Sequence, residues 1–313
     1  MNSAPASPPA ALRRFRLAGL VFNLTDIATL GGIIAFTLLA VILQGRIARP
    51  EAVIGVNLVF IALYVASVAV LPRLRRPWLR FLVRTAAVQL TFLQIYKAAN
   101  ELQLVFFPWQ DDLVLAAEQA VLGFQPLVAV QKLYSPALSE WMFFVYVVYV
   151  VIYPALGAII FFKRGEEANE DYLFRLGLVN FVCGVGFLLF PVASPMYWPK
   201  VRALLTEPLT AGFFGSVAEW IRANIHQPGG SVPSPHCAVA TVMWLTSLKY
   251  TRHGFLWLAP VILSLYVSTV YGRFHYVSDM AAGIAAGLVV ILVAPALERA
   301  WNGPAAPEPE GAS

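Results

Sequence analysis

Apolar residues run through this chain in long, nearly uninterrupted stretches, broken by short segments rich in Arg, Pro, Gly and acidic residues. A helix that crosses a bilayer needs about 20 mostly apolar residues, because each adds only about 1.5 Å along the axis. Eight stretches reach or approach that length: 24–44, 52–71, 81–99, 138–162, 172–190, 236–250, 255–271 and 275–297. The third carries Arg84, Gln89, Gln94 and Lys97, and the sixth is short. The pattern predicts an all-α, polytopic transmembrane helix bundle of about eight spans. Ser135-Pro136 and Ser234-Pro235 each couple an N-cap to a first-turn proline. Asp111-Asp112 and Gly123 bracket a short amphipathic helix, too short to span, that should lie in the membrane interface. Gly283 and Gly287 form a small-xxx-small pair that predicts close packing of the last span.

Composition narrows the class. Hydrophobic residues make up 59% of the chain and charged residues 12%, with mean hydropathy +0.70. Soluble domains carry about 25% charged residues, and a globule of this length cannot hide the excess of apolar side chain. Soluble enzyme folds, disordered chains, collagen and disulfide scaffolds are thereby excluded. The net charge of +5 does not point to nucleic acid, since the basic residues flank the apolar runs and read as topology signals. Their distribution favours both termini on the cytoplasmic side. It puts 100–137, 191–235 and the turn around 272–274 outside. Cys183 and Cys237 sit in apolar surroundings and read as packing residues. Residues 1–22 read as a disordered cytoplasmic tail, 23–78 as an N-terminal transmembrane hairpin, 79–300 as the membrane core and 301–313 as a second tail.

Ionisable residues at membrane depth are costly, which makes them candidates for function. The chain has four histidines: His226, His236, His253 and His275. His236 falls in the first turn of a predicted span, after Pro233-Ser234-Pro235, where free amides and the helix dipole favour an anion. His275 opens the last span in Tyr271-Gly272-Arg273-Phe274-His275-Tyr276-Val277-Ser278-Asp279. Its i, i+4 spacing to Asp279 puts carboxylate and imidazole on one helix face, which suits a nucleophile or base whose tautomer must be fixed. Arg273 sits where a guanidinium would fork onto phosphate oxygens. Taken separately, each motif also reads as an ordinary helix start or cap.

Together, Pro233-Ser234-Pro235-His236 and 268–279 resemble the second and third signature motifs of the type 2 phosphatidic acid phosphatase superfamily, usually P-S-G-H and S-R-x5-H-x3-D. The resemblance covers residues 231–290. It implies a six-helix catalytic core in the last six spans and a metal-independent lipid phosphate phosphatase or phosphotransferase that needs no cofactor. His275 would form a phosphohistidine, Asp279 would orient it, and His236 would protonate the leaving oxygen. Activity would be bell-shaped around pH ~6.5. Ser234 and Arg273 would hold the phosphate, joined by Lys97, which also reads as a snorkelling lysine at the end of its span. A plasma (inner) membrane location with the site facing the exterior follows, the partners being the bilayer and a lipid phosphate.

The chain departs from the family pattern in three places. The first motif, K-x6-R-P, is absent: Arg76-Pro77 has Ala69 where Lys is expected. Pro235 replaces the usual Gly, and Thr269 stands where the third motif has Arg. Residues 112–126, 141–153 and Phe190-Pro191-Val192-Ala193-Ser194-Pro195 resemble the branch that includes inositol phosphorylceramide synthases. A headgroup transferase of that type and a non-catalytic lipid-phosphate carrier are the alternatives.

Overall fold

The computed structural model describes residues 14–209, 212–224 and 226–303. Of the tails expected at 1–22 and 301–313, residues 1–13 and 304–313 lie outside the described residues. Residues 15–22, which composition grouped with the leading tail, instead pair as an antiparallel ribbon of β1 (Phe15–Leu17) and β2 (Leu20–Phe22). Ala18 and Gly19 both have positive φ, the backbone twist that a two-residue hairpin turn requires. Phe22 is buried in the bundle core and anchors the ribbon there.

Eight long helices coincide with the eight predicted stretches: α1 (Leu24–Ile42), α2 (Pro50–Val70), α3 (Pro77–Leu102), α6 (Pro136–Arg164), α7 (Glu166–Leu189), α10 (Pro235–Tyr250), α11 (Arg252–Tyr271) and α12 (Val277–Asn302). Four shorter helices complete the set among the described residues: α4 (Asp111–Leu122), α5 (Pro126–Val130), α8 (Pro199–Leu204) and α9 (Phe213–Asn224). Among the described residues six helices are long and apolar enough to cross a membrane, α3 and α10 falling short. The predicted caps form: Ser135 and Ser234 accept from Leu138 and Cys237, and Gly123 ends α4 in the left-handed region. The protein is a multi-pass, all-α membrane bundle.

The core centres on α7, which packs on α1, α3, α6, α10 and α12. Helix α10 packs on α6, α7, α11 and α12. A Cβ at Gly283 would lie 2.5 Å from the Ser234 carbonyl oxygen, and one at Gly287 2.6 Å from Thr241 Cβ. The two glycines therefore let α12 lie directly on α10. Gly283→Ala is expected to cost about 1–3 kcal/mol through overpacking, read as a lower Tm in detergent. An unchanged Tm would show that the contact relaxes without strain.

Arg84, Thr85, Thr91 and Gln94 of α3 are turned inward. Arg84 is 4% exposed. Its guanidinium donates to Glu170 (Nε to Oε1, 2.6 Å), to the Tyr64 hydroxyl (3.1 Å) and to Asp26. Asn23 donates to Glu170 at 2.9 Å, and Tyr64 to Asp26 at 2.9 Å. Higher in the bundle Gln94 donates to Asn57, which donates to Thr37. These bonds tie the α1–α2 hairpin to α3 and α7. On the same end, Arg175 pairs with Asp171 and Glu298, and Lys249 with Asp171. The start of α1 and the end of α12 thus share one face, opposite the starts of α10 and α12.

Candidate active site

Two helix starts build the site. In the first, Ser234 caps α10 and its N–H donates to the Asp279 carbonyl oxygen at 3.0 Å, so the heads of α10 and α12 are joined through backbone. His236 follows on the first turn. In the second, the chain leaves α11 through a tight turn in which Arg273 has φ +64. The amides of Phe274 and His275 both donate to the Thr269 carbonyl oxygen at 3.0 Å. Thr269 is fully buried there. It serves the turn through its backbone, in the place where the family pattern has Arg.

This turn corrects one boundary. Helix α12 starts at Val277, with Tyr276 as N-cap, so His275 precedes the helix. The i, i+4 partner is still met: His275 Nδ1 lies 3.5 Å from Asp279 Oδ2, which accepts the Tyr276 N–H at 3.0 Å. On its other side, His275 Nε2 lies 3.4 Å from His236 Nδ1, with the ring centroids 5.6 Å apart. The order is Asp279, His275, His236. His275 and Asp279 are buried and His236 is half-buried. Burial pushes the His275 imidazole well below its ordinary range, and His236 and His226 add to the effect. The neutral ring, with a free lone pair, is the favoured form.

The three expected phosphate-binding residues are placed differently. Ser234 is fully buried and its Oγ is taken up as the cap of α10. The Arg273 side chain turns to Tyr134, donating to its hydroxyl at 3.1 Å and lying over its ring, and it also donates to the Glu207 carbonyl oxygen. Lys97 is exposed, while its neighbours Tyr96 and Asn100 face Gly230. The structure brings His236, His275 and Asp279 together, and leaves Arg273, Lys97 and the Ser234 hydroxyl without contact to them.

Other side chains support the site without having been singled out. Asp111 accepts from the Ala193 N–H (2.8 Å) and the Tyr276 hydroxyl (3.0 Å). Glu118 accepts from the Ser278 N–H (2.8 Å) and hydroxyl (3.0 Å). Seven residues apart on α4, these carboxylates hold the head of α12 from one helix face. That spacing was visible in the chain, but nothing local names their partners. Ser194 donates to the Phe274 carbonyl oxygen at 2.7 Å.

A family model described as the PAP2 superfamily matches residues 113–293, more than half of the chain, and the match includes His236, His275 and Asp279. No curated protein matches the chain. Among solved structures, a transmembrane PAP2 type phosphatidylglycerolphosphate phosphatase from Bacillus subtilis is similar at 18% identity and a TM-score of 0.33. The alignment covers 69% of this chain and 96% of that one.

Proposed function

The chain belongs to the PAP2 superfamily, and from that membership and its paired histidines we propose an integral-membrane phosphatase or phosphotransferase that works on a lipid phosphate through a phosphohistidine. The observation that carries this reading is the line of Asp279, His275 and His236, with separations of 3.5 and 3.4 Å. His275 Nε2 attacks phosphorus, and the bond from phosphorus to the ester oxygen breaks. His236 gives its proton to that leaving oxygen. Asp279, beside Nδ1, orients the ring and offsets the positive charge that develops on it. Water or a lipid alcohol then attacks the phosphohistidine, returning its proton to His236. The dipole of α10 adds positive potential where the phosphate charge must sit.

In-line transfer sets a spacing requirement. A nucleophile about 3–3.5 Å from phosphorus and an acid in hydrogen-bond reach of the leaving oxygen need roughly 6–7 Å between their nitrogens. At 3.4 Å the two histidines touch, so substrate binding separates them. The basic-residue pattern supports an outer-face site with both termini cytoplasmic, where lipid enters sideways from the bilayer.

The test is turnover by purified protein of a lipid phosphate, with and without a lipid alcohol. Free phosphate identifies hydrolysis, and a new phospholipid identifies headgroup transfer. Bound lipid with no turnover would overturn the enzyme reading in favour of a carrier. A pH profile adds a second prediction. The nucleophile works as the neutral ring, and its lowered pKa keeps that form present below the ordinary imidazole range. The acidic limb of kcat/KM is therefore expected below pH ~6.5. A limb at or above that pH would contradict the assignment.

A further inference from the structure

We propose that His226 is a positioning residue for the histidine pair, acting through Tyr146; the inference rests on the phosphoryl-transfer reading above. His226 follows α9, and its Nε2 lies 3.1 Å from the Tyr146 hydroxyl. Tyr146 is 3% exposed, inside α6. Its ring stacks on Phe274 at 4.1 Å and 8°, and on His236 at 4.8 Å and 27°. Phe274 is the residue before His275. One aromatic plate therefore touches one histidine of the pair and the neighbour of the other. Tyr149, one turn along α6 from Tyr146, tilts against His236 at 5.6 Å.

The His236 ring gains its orientation from these faces, since among the described residues its side chain makes its one hydrogen-bond contact with His275. That contact must open for substrate to enter. Once it opens, the Tyr146 plate is what keeps the imidazole aimed. A buried phenol needs a partner for its hydroxyl, and His226 is that partner. It fixes the rotation of Tyr146 about its side-chain bonds, and through it the plane of His236. His226 also lies beside Phe274, with centroids 5.4 Å apart. The motif pattern that singles out His236 and His275 gives no role to His226. The bland alternative is an aromatic core in which His226 only fills space.

The two roles separate experimentally in the purified full-length protein, using a lipid phosphate as substrate. His226→Ala and Tyr146→Phe are each expected to lower kcat about ten- to a hundredfold with KM unchanged, as small misplacements of a catalytic group do. The double variant is expected to be no worse than either single one, because both act along one path. His226→Gln keeps a donor for the hydroxyl and is expected to restore most of the loss. His253, exposed on the far end of α11, supplies the control variant His253→Gln. A second readout needs no turnover: in protein labelled with nitrogen-15 histidine, the His236 ring signals should shift in His226→Ala and Tyr146→Phe but not in His253→Gln. Unchanged kcat in either single variant, multiplicative losses in the double one, or unmoved His236 signals would overturn the proposal. A wild type with no turnover whose His236 signals shift as expected would overturn the phosphoryl-transfer reading and support the positioning of His236.

Discussion

Replacing His275 with alanine is expected to abolish turnover, by at least about 10⁴-fold, since residual activity without a nucleophile comes only from binding and the remaining polar groups. The variant should fold. His275 is 4% exposed, but its Nδ1 makes no hydrogen bond of good geometry and its Nε2 lies 3.4 Å from His236 Nδ1. Its backbone N–H, which holds the turn, is kept. The loss therefore reads on chemistry and not on architecture. Asp279→Asn should retain part of the activity, because orientation is weakened while the nucleophile remains. Release of phosphate or of transferred product from a lipid phosphate in mixed micelles measures both. A purified His275→Ala protein with wild-type turnover would remove the nucleophile assignment.

The second large effect concerns stability. Arg84→Met is expected to destabilise the bundle by about 3–5 kcal/mol, the cost of breaking a buried ion pair from one side. The reason lies in what is left behind. Asp26 and Glu170 are 3% and 8% exposed, and without the guanidinium two carboxylates face each other in an apolar interior. A matching methionine fills the volume but neutralises nothing. Arg84→Lys should recover only part of the loss, because one ammonium cannot fork onto both carboxylates. Thermal unfolding in detergent measures both. An Arg84→Met protein as stable as the wild type would show that the cluster does not fasten the α1–α2 hairpin to the core.

The third span illustrates how far pattern reading reaches. Arg84, Gln89, Gln94 and Lys97 together make it the least apolar stretch, and the count alone does not separate them. The structure gives three of them different fates. Arg84 is clamped between carboxylates 58 and 86 residues away, Gln94 bonds Asn57 across to α2, and Lys97 is exposed. The same holds at the site. Arg273, two residues before His275, looked suited to phosphate, yet its positive φ and the Tyr134 ring carry its side chain elsewhere.

Local features were written in the chain because their physics is local. Apolar run lengths set the eight long helices, serine–proline pairs set two of their starts, and the four-residue interval set the meeting of His275 with Asp279. Each depends on residues within a turn or two of one another. What folding added depends on partners far apart in sequence. The approach of His236 to His275 spans 39 residues and the contact of Tyr146 with His226 spans 80. Such pairings follow from how α6, α10 and α12 pack, and packing is set by side-chain shape over the whole interface. No window of the sequence contains that information.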